Sequence, residues 1–119
     1  MKDFRKLDVW SKAHQTVLAV YKNSQAFPRE EIFGLTSQVR RAAVSVPSNI
    51  AEGCGRGSDA EFARFSEIAM GSSSELEYQV FFAKDLNYLS NEKYEDLSSR
   101  IVEVEKMPAS LIKKLNADR

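Results

Sequence analysis

The sequence predicts an all-α domain, an up-down-up-down antiparallel four-helix bundle, on three observations. No stretch sustains the alternation of apolar and polar residues that a half-buried strand requires. Apolar residues recur instead at spacings of three and four through four long segments. Between these segments Pro, Gly, Asn and Ser fall in short clusters, which suits tight connections between neighbouring helices. With 119 residues, 43% of them hydrophobic, the chain reads as one domain spanning 1–119 with one core.

The first helix is expected from about Asp8 to Gln25, with Val9, Ala13, Thr16, Val17 and Val20 on its inner face and Trp10, His14 and Tyr21 at the margin. Phe27-Pro28 ends it. The second is expected to start with Pro28 in its first turn, where a missing N–H costs nothing, and Glu30-Glu31 beside the positive helix end. Its seam of Ile32, Leu35, Val39, Ala43, Val46, Ile50 and Gly53 continues through Pro47, which predicts a kinked helix rather than a stopped one. The glycine-rich run from Gly53 to Gly57 is the expected stop.

Ser58-Asp59-Ala60-Glu61 is a capping-box pattern that opens the third helix. That helix carries two apolar stripes. Phe62, Phe65, Ala69, Ser72/Ser73, Leu76, Val80 and Ala83 form one; Ile68, Gly71, Glu75, Tyr78, Phe82 and Leu86 lie roughly 140° around the helix. Only one stripe can face the bundle core, so the other requires a second partner. Asn87 suits a left-handed terminus, and Ser90 or Asn91 the next N-cap. The fourth helix places Tyr94, Leu97, Ile101, Val104, Leu111, Ile112 and Leu115 inward and Glu92, Glu95, Asp96 and Glu103 mainly outward, with Pro108 expected to bend or interrupt it.

Within the second helix, Pro47, Asn49 and Glu52 each oppose a buried helical environment. Proline removes a donor, and a buried amide or carboxylate needs partners. Asn49 and Glu52 share a flank with Gln38, Arg41 and Ser45. Gly71 and Glu75 occupy the matching stripe of the third helix. The pattern predicts a hydrogen-bonded cluster where these helices, or two subunits, meet; the alternative is that Asn49 and Glu52 end the helix in solvent.

Charge and chemistry narrow the function. The net charge is zero, but residues 1–57 hold nine Lys/Arg against five Asp/Glu, and residues 58–119 hold eight against twelve. This polarity can steer association, yet lacks the overall positive charge of a dedicated nucleic-acid binder. A di-iron bundle needs Glu-x-x-His pairs on two helices, whereas the single histidine, His14, follows Ser11 by three. Cys54 and His14 lie on separate helices and make no zinc set. Ser72-Ser73-Ser74 beside Glu75 is the one paper candidate for a nucleophile, and small residues there serve close helix approach better. Cys54, expected as an exposed thiol beside a glycine-rich turn near Arg56, lacks a partner base. The reading is no enzyme, no metal and no cofactor. One cysteine and no long apolar run make the cytoplasm the expected compartment, with no membrane partner.

Phe4-x-x-Leu7-x-Val9-Trp10, Tyr21, Phe27-Pro28-x-x-Glu31, Gly34-Leu35-x-x-Gln38, Arg40-Arg41-Ala42, Ser45-Val46-Pro47-Ser48-Asn49-Ile50-Ala51-Glu52-Gly53, Phe62, Phe65, Ala69-x-Gly71-Ser72 and Glu75-Leu76 together carry a resemblance over nearly the whole chain. It resembles the family of small four-helix-bundle proteins encoded by intervening sequences in bacterial 23S rRNA genes, which also includes the accessory variability proteins of diversity-generating retroelements. The resemblance implies a homopentameric barrel with no known catalytic activity, suspected of handling structured RNA; the retroelement relatives bind nucleic acid and a reverse transcriptase through basic surfaces. The balanced charge departs from strongly basic relatives, and Leu86-Asn87-Tyr88-Leu89 stands where the family has Leu-Gly-Tyr-Leu.

The expected function is therefore a non-enzymatic oligomer that binds structured RNA or other nucleic acid through Lys12, Lys22, Arg40, Arg41 and Arg56. The alternative is a protein–protein adaptor. Pro47, Asn49, Glu52, Gly53, Gly71, Ser72, Glu75, Tyr78 and Phe82 are the expected packing and assembly positions.

Overall fold

The computed structural model describes the backbone of residues 3–117 and the side chains of residues 3–107. Four helices, α1 (Asp8–Ser24), α2 (Leu35–Gly55), α3 (Asp59–Asp85) and α4 (Asn91–Ala117), form an all-α fold with no strand among the described residues. Each helix packs on two others: α1 on α2 and α4, α3 on α2 and α4. The result is a four-cornered rod 47 × 22 × 20 Å.

Helix ends follow from local chemistry, with two departures from expectation. Residues Arg29–Glu31 form a separate 3₁₀ turn after Pro28, and α2 begins at Leu35 rather than at Pro28. The cause is Glu31. Its Oε1 accepts from the Leu35 amide at 3.1 Å, so the carboxylate caps α2 from outside the helix. Gly34 makes room for this: a Cβ there would lie 2.6 Å from Glu31 Oε1. Ile32, expected on the core seam, is consequently left 51% exposed in the connector. At the other junction, Ser58 Oγ accepts from the Glu61 amide at 3.2 Å, but the Glu61 carboxylate pairs with Arg64 at 2.8 Å instead of reaching back, so only half of the capping box forms.

The remaining punctuation is as expected. Asn87 adopts φ 64° after α3, and Ser90 Oγ accepts from the Lys93 amide at the start of α4. Helix α2 passes through the buried Pro47 and continues to Gly55. Helix α4 likewise runs on through Pro108 to Ala117, so Pro108 does not interrupt it. The inward placement expected for Leu111, Ile112 and Leu115 lies outside the described side chains.

The core is built from the predicted seams. Val20, Leu35, Val39, Ala43, Leu76, Val80, Ala83, Leu97 and Ile101 pack in one cluster, and Val9, Ala13, Val46, Ile50, Ala69 and Val104 in the next. The space left at the centre, lined by Ala13, Thr16, Ala43, Val46, Ser73, Leu76, Ile101 and Val104, is about 10 Å³, at most one water. Cys54 is buried against Phe62 and Ala63, not exposed at the turn as expected.

Candidate functional site

Two adjoining surfaces of α2 and α3 gather the residues singled out by sequence. The first is the outer stripe of α3. Ile68, Tyr78, Phe81, Phe82 and Leu86 are all exposed, Tyr78 by 64%, with Gly71 and Glu75 between them. The helical period that buries Phe62, Phe65, Ala69, Leu76, Val80 and Ala83 necessarily turns these outward. Tyr78 and Phe82, one turn apart, stack with centroids 6.1 Å apart. Exposed apolar residues scattered singly are ordinary; these share the outward side of one helix.

The second surface is a polar groove of about 490 Å³ between α2 and α3, lined by Gln38, Arg41, Ala42, Ser45, Ser72, Glu75 and Gln79. Ser45 Oγ and Ser72 Oγ are 2.8 Å apart and share one hydrogen bond across the two helices. The Asn49 amide donates to the Ser45 carbonyl at 2.7 Å and to Ser45 Oγ at 3.0 Å. Asn49 thus orients the serine pair, and the hydrogen-bonded cluster is made by Ser45, Asn49 and Ser72, not with the expected Glu75 of α3. It excludes Glu52. That residue is exposed and pairs with Arg56 at 3.2 Å along its own helix, so the expectation of a joint Asn49–Glu52 cluster is corrected: a spacing of three turns Glu52 past the α2/α3 seam. Glu75 lines the groove from α3 without a hydrogen bond or ion pair to any described residue, and the same holds for Arg41 on α2.

Gln79 was missed at the sequence level. It is only 8% exposed, and its Oε1 has no hydrogen-bond partner. The available signal was its position between Leu76 and Ala83, where an amide reaches the edge of the inner face. The two glycines differ in role. At Gly53 a Cβ would meet Phe65 Cβ at 3.0 Å and Phe62 Cδ1 at 3.2 Å, so α3 packs directly on the α2 backbone there. At Gly71 a Cβ would meet nothing within 4 Å.

The five basic residues do not converge. Arg40 turns toward α1, donating from Nε to Ser24 Oγ at 2.9 Å while its guanidinium lies 4.7 Å from the Tyr21 ring centroid. Arg41, one residue on, faces α3. Lys12 bonds Glu103 of α4 at 2.7 Å; this hydrogen bond raises the Lys12 pKa above its ordinary value and lowers that of Glu103. Arg56 lies 5.0 Å from the Phe65 ring centroid at the far end of α2, and Lys22 is exposed near the end of α1. Trp10 and His14 stack on each other at 5.0 Å beside a groove of about 360 Å³ lined by Phe4, Val17, Val44, Pro47, Ser48 and Ala51. Among the described residues no group of three or more His, Cys, Asp or Glu is placed to hold a metal ion, and no helix is long and apolar enough to cross a membrane.

Comparison with known proteins agrees with the sequence patterns. Residues 5–110 match the family described as 23S rRNA-intervening sequence protein. A crystal structure of a protein of unknown function from the S23 ribosomal protein family of Bacteroides thetaiotaomicron is similar with a TM-score of 0.81 and 25% sequence identity, over 88% of this chain and 95% of that one. Among curated proteins none matches.

Proposed function

Because this chain belongs to the 23S rRNA-intervening sequence protein family, whose solved member above has no assigned function, we propose from its geometry that it acts as a non-enzymatic, self-associating helical-bundle protein. The observation that carries this reading is the exposed stripe of Ile68, Tyr78, Phe82 and Leu86 on α3. Covering a second apolar face of a helix removes further apolar surface from water, and the bundle covers only one face of α3. The Ser72 hydroxyl, considered above as a nucleophile, is bonded to Ser45 and not to a base.

The protomer is an up-down-up-down bundle in this reading, supported by register. Gly53 meets Phe62 and Phe65 while Ser45 meets Ser72; Lys12 meets Glu103; Ser74 meets Glu105 and Phe81 meets Tyr94. Numbers rise along one helix as they fall along its neighbour. The sequence resemblance implies five copies in a ring, and a cytoplasmic setting accords with a single cysteine. Light scattering tests the assembly: the parent should weigh about five times the 13.4 kDa protomer, and Phe82→Asp should run as a folded protomer. A parent of protomer mass refutes it, and an unchanged Phe82→Asp oligomer refutes the α3 stripe as its surface.

Structured-RNA binding is the second reading, favoured by the exposed and unpaired Arg41. Ring symmetry would multiply a weak contact. Lys12, Arg40 and Arg56 are already engaged within the protomer, which argues for protein contact as the primary role, including an adaptor role for the α3 stripe and the acidic face of Glu92, Glu95 and Asp96. Filter binding decides: affinity for structured RNA no greater than for a neutral control at low and moderate salt ends the RNA reading. The retroelement kinship implied by the resemblance would add a reverse transcriptase to the partners, testable by co-purification with and without RNase.

A further inference from the structure

The polar groove between α2 and α3 is not explained by an apolar contact on α3. Its volume, about 490 Å³, is that of a small-molecule site, and Ala42 is the one apolar residue lining it. The groove holds one cation and one anion, Arg41 and Glu75, both exposed and neither paired with the other or with any other described residue. Between the helices its floor is the Gln79 side chain, more than nine-tenths buried, whose Oε1 has no partner. A buried amide oxygen ordinarily accepts a hydrogen bond, and none of the described residues donates one here.

Helical spacing sorts these polar groups by what they offer. Ser45 Oγ and Ser72 Oγ, 2.8 Å apart, join the two walls of the groove at one height. Arg41 stands one turn before Ser45 on the α2 wall, and Glu75 three residues after Ser72 on the α3 wall. Asn49 donates to Ser45 Oγ at 3.0 Å. With one lone pair of Ser45 so occupied, donation from Ser45 to Ser72 uses each group once and leaves the Ser72 hydroxyl hydrogen for the groove. The donors are therefore Arg41 and Ser72. The acceptors are Glu75 and Gln79, one turn apart on α3.

We infer that this groove binds a small zwitterion, a free α-amino acid with a polar side chain. Its carboxylate lies against the Arg41 guanidinium and the Ser72 hydroxyl, and its ammonium donates to the Glu75 carboxylate and to Gln79 Oε1. Opposite charges in one concavity select against a ligand that carries only one. A lone anion such as inorganic phosphate is attracted by Arg41 and repelled by Glu75, and a lone cation meets the reverse. With Ala42 alone apolar, a branched or aromatic side chain finds little surface to cover. Exposed charges contribute little each, so the expected Kd is on the order of 0.1–1 mM. The site is complete within one protomer and does not depend on the self-association proposed above.

Isothermal titration calorimetry on the full chain tests this, with circular dichroism confirming that each variant is folded. Glutamine and serine should bind saturably. N-acetylglutamine, glutamine methyl ester, leucine and inorganic phosphate should each bind at least about tenfold more weakly. Arg41→Gln should erase the preference for glutamine over its methyl ester, and Glu75→Gln the preference for glutamine over its N-acetyl form. Gln79→Leu, which replaces the unmet amide with an apolar group of similar size, should weaken glutamine binding in a folded protein. No saturation by glutamine or serine up to about 10 mM would overturn the inference. So would equal binding of a single-charge form or of leucine, or binding that Arg41→Gln and Glu75→Gln both leave unchanged. Oligomer mass is read separately, so failure here leaves self-association standing, and a parent of protomer mass leaves this site standing.

Discussion

Gly53 and Gly71 show how one residue type can answer opposite demands. Gly53 is needed because Phe62 and Phe65 lie against the α2 backbone, whereas Gly71 faces open space. In a Phe82→Asp background, chosen to exclude the proposed assembly from the measurement, Gly53→Ala should lose about 1–3 kcal/mol by overpacking. Gly71→Ala should gain about 0.5–1 kcal/mol from helix propensity. Urea unfolding of the two variants checks both signs. Sequence alone could not separate these cases: both glycines stand at helical spacing beside apolar residues, and only the position of the neighbouring helix tells them apart. The same applies to Glu52 and Asn49, which share a flank on paper but diverge into solvent and seam. Glu31 was legible as a helix-end carboxylate, but not as the cap that ends one turn and begins another.

Among the elements, α3 was the most legible, since its two stripes follow directly from the period of the helix and Ser58 marks its start. The connector between α1 and α2 was the least, because a proline-led acidic turn fits a 3₁₀ segment and a first α-turn equally well. Helices α3 and α4 also meet through charge. Burial, and then the nearby Glu105 carboxylate, raises Glu77 above 4.5, while Lys12 lowers Glu103. The signs oppose. Glu77 holds its proton in the folded state at a pH where the unfolded chain has lost it, so its contribution is full below its unfolded value and is lost as pH rises through the raised folded value. Glu103 contributes above its unfolded value and loses that contribution as pH falls through the lowered one. Melting temperature should therefore rise as pH drops through the raised folded value of Glu77 and fall again in stronger acid. Glu77→Gln should abolish the rise and keep the fall; a variant that retains the rise would show another group to be responsible.

At the scale of the molecule, the all-α class was readable from periodicity, because nearly every seam position from Val9 to Val104 is where spacing puts it. The basic surface was not. A surplus of positive charge in residues 1–57 says nothing about direction, and consecutive Arg40 and Arg41 diverge to opposite neighbours of α2. Raising salt should thus weaken any RNA binding with a shallow slope, as few phosphates can be met at once. A titration of binding against salt concentration measures the slope, and a steep one would show that assembly brings the scattered cations together.

Glu31 reaches both ways. Its Oε1 holds the first amide of α2, and its Oε2 accepts from the Tyr88 hydroxyl at 2.9 Å, beside a Phe27–Tyr88 ring contact at 5.5 Å. One carboxylate therefore links two connections that are 57 positions apart in the chain. Fraying at this end of the rod cannot begin at one connection and leave the other intact. In hydrogen exchange, the Leu35 amide and the amides of the turn around Tyr88 should open as one cooperative unit, and Tyr88→Phe should split them into two with separate rates.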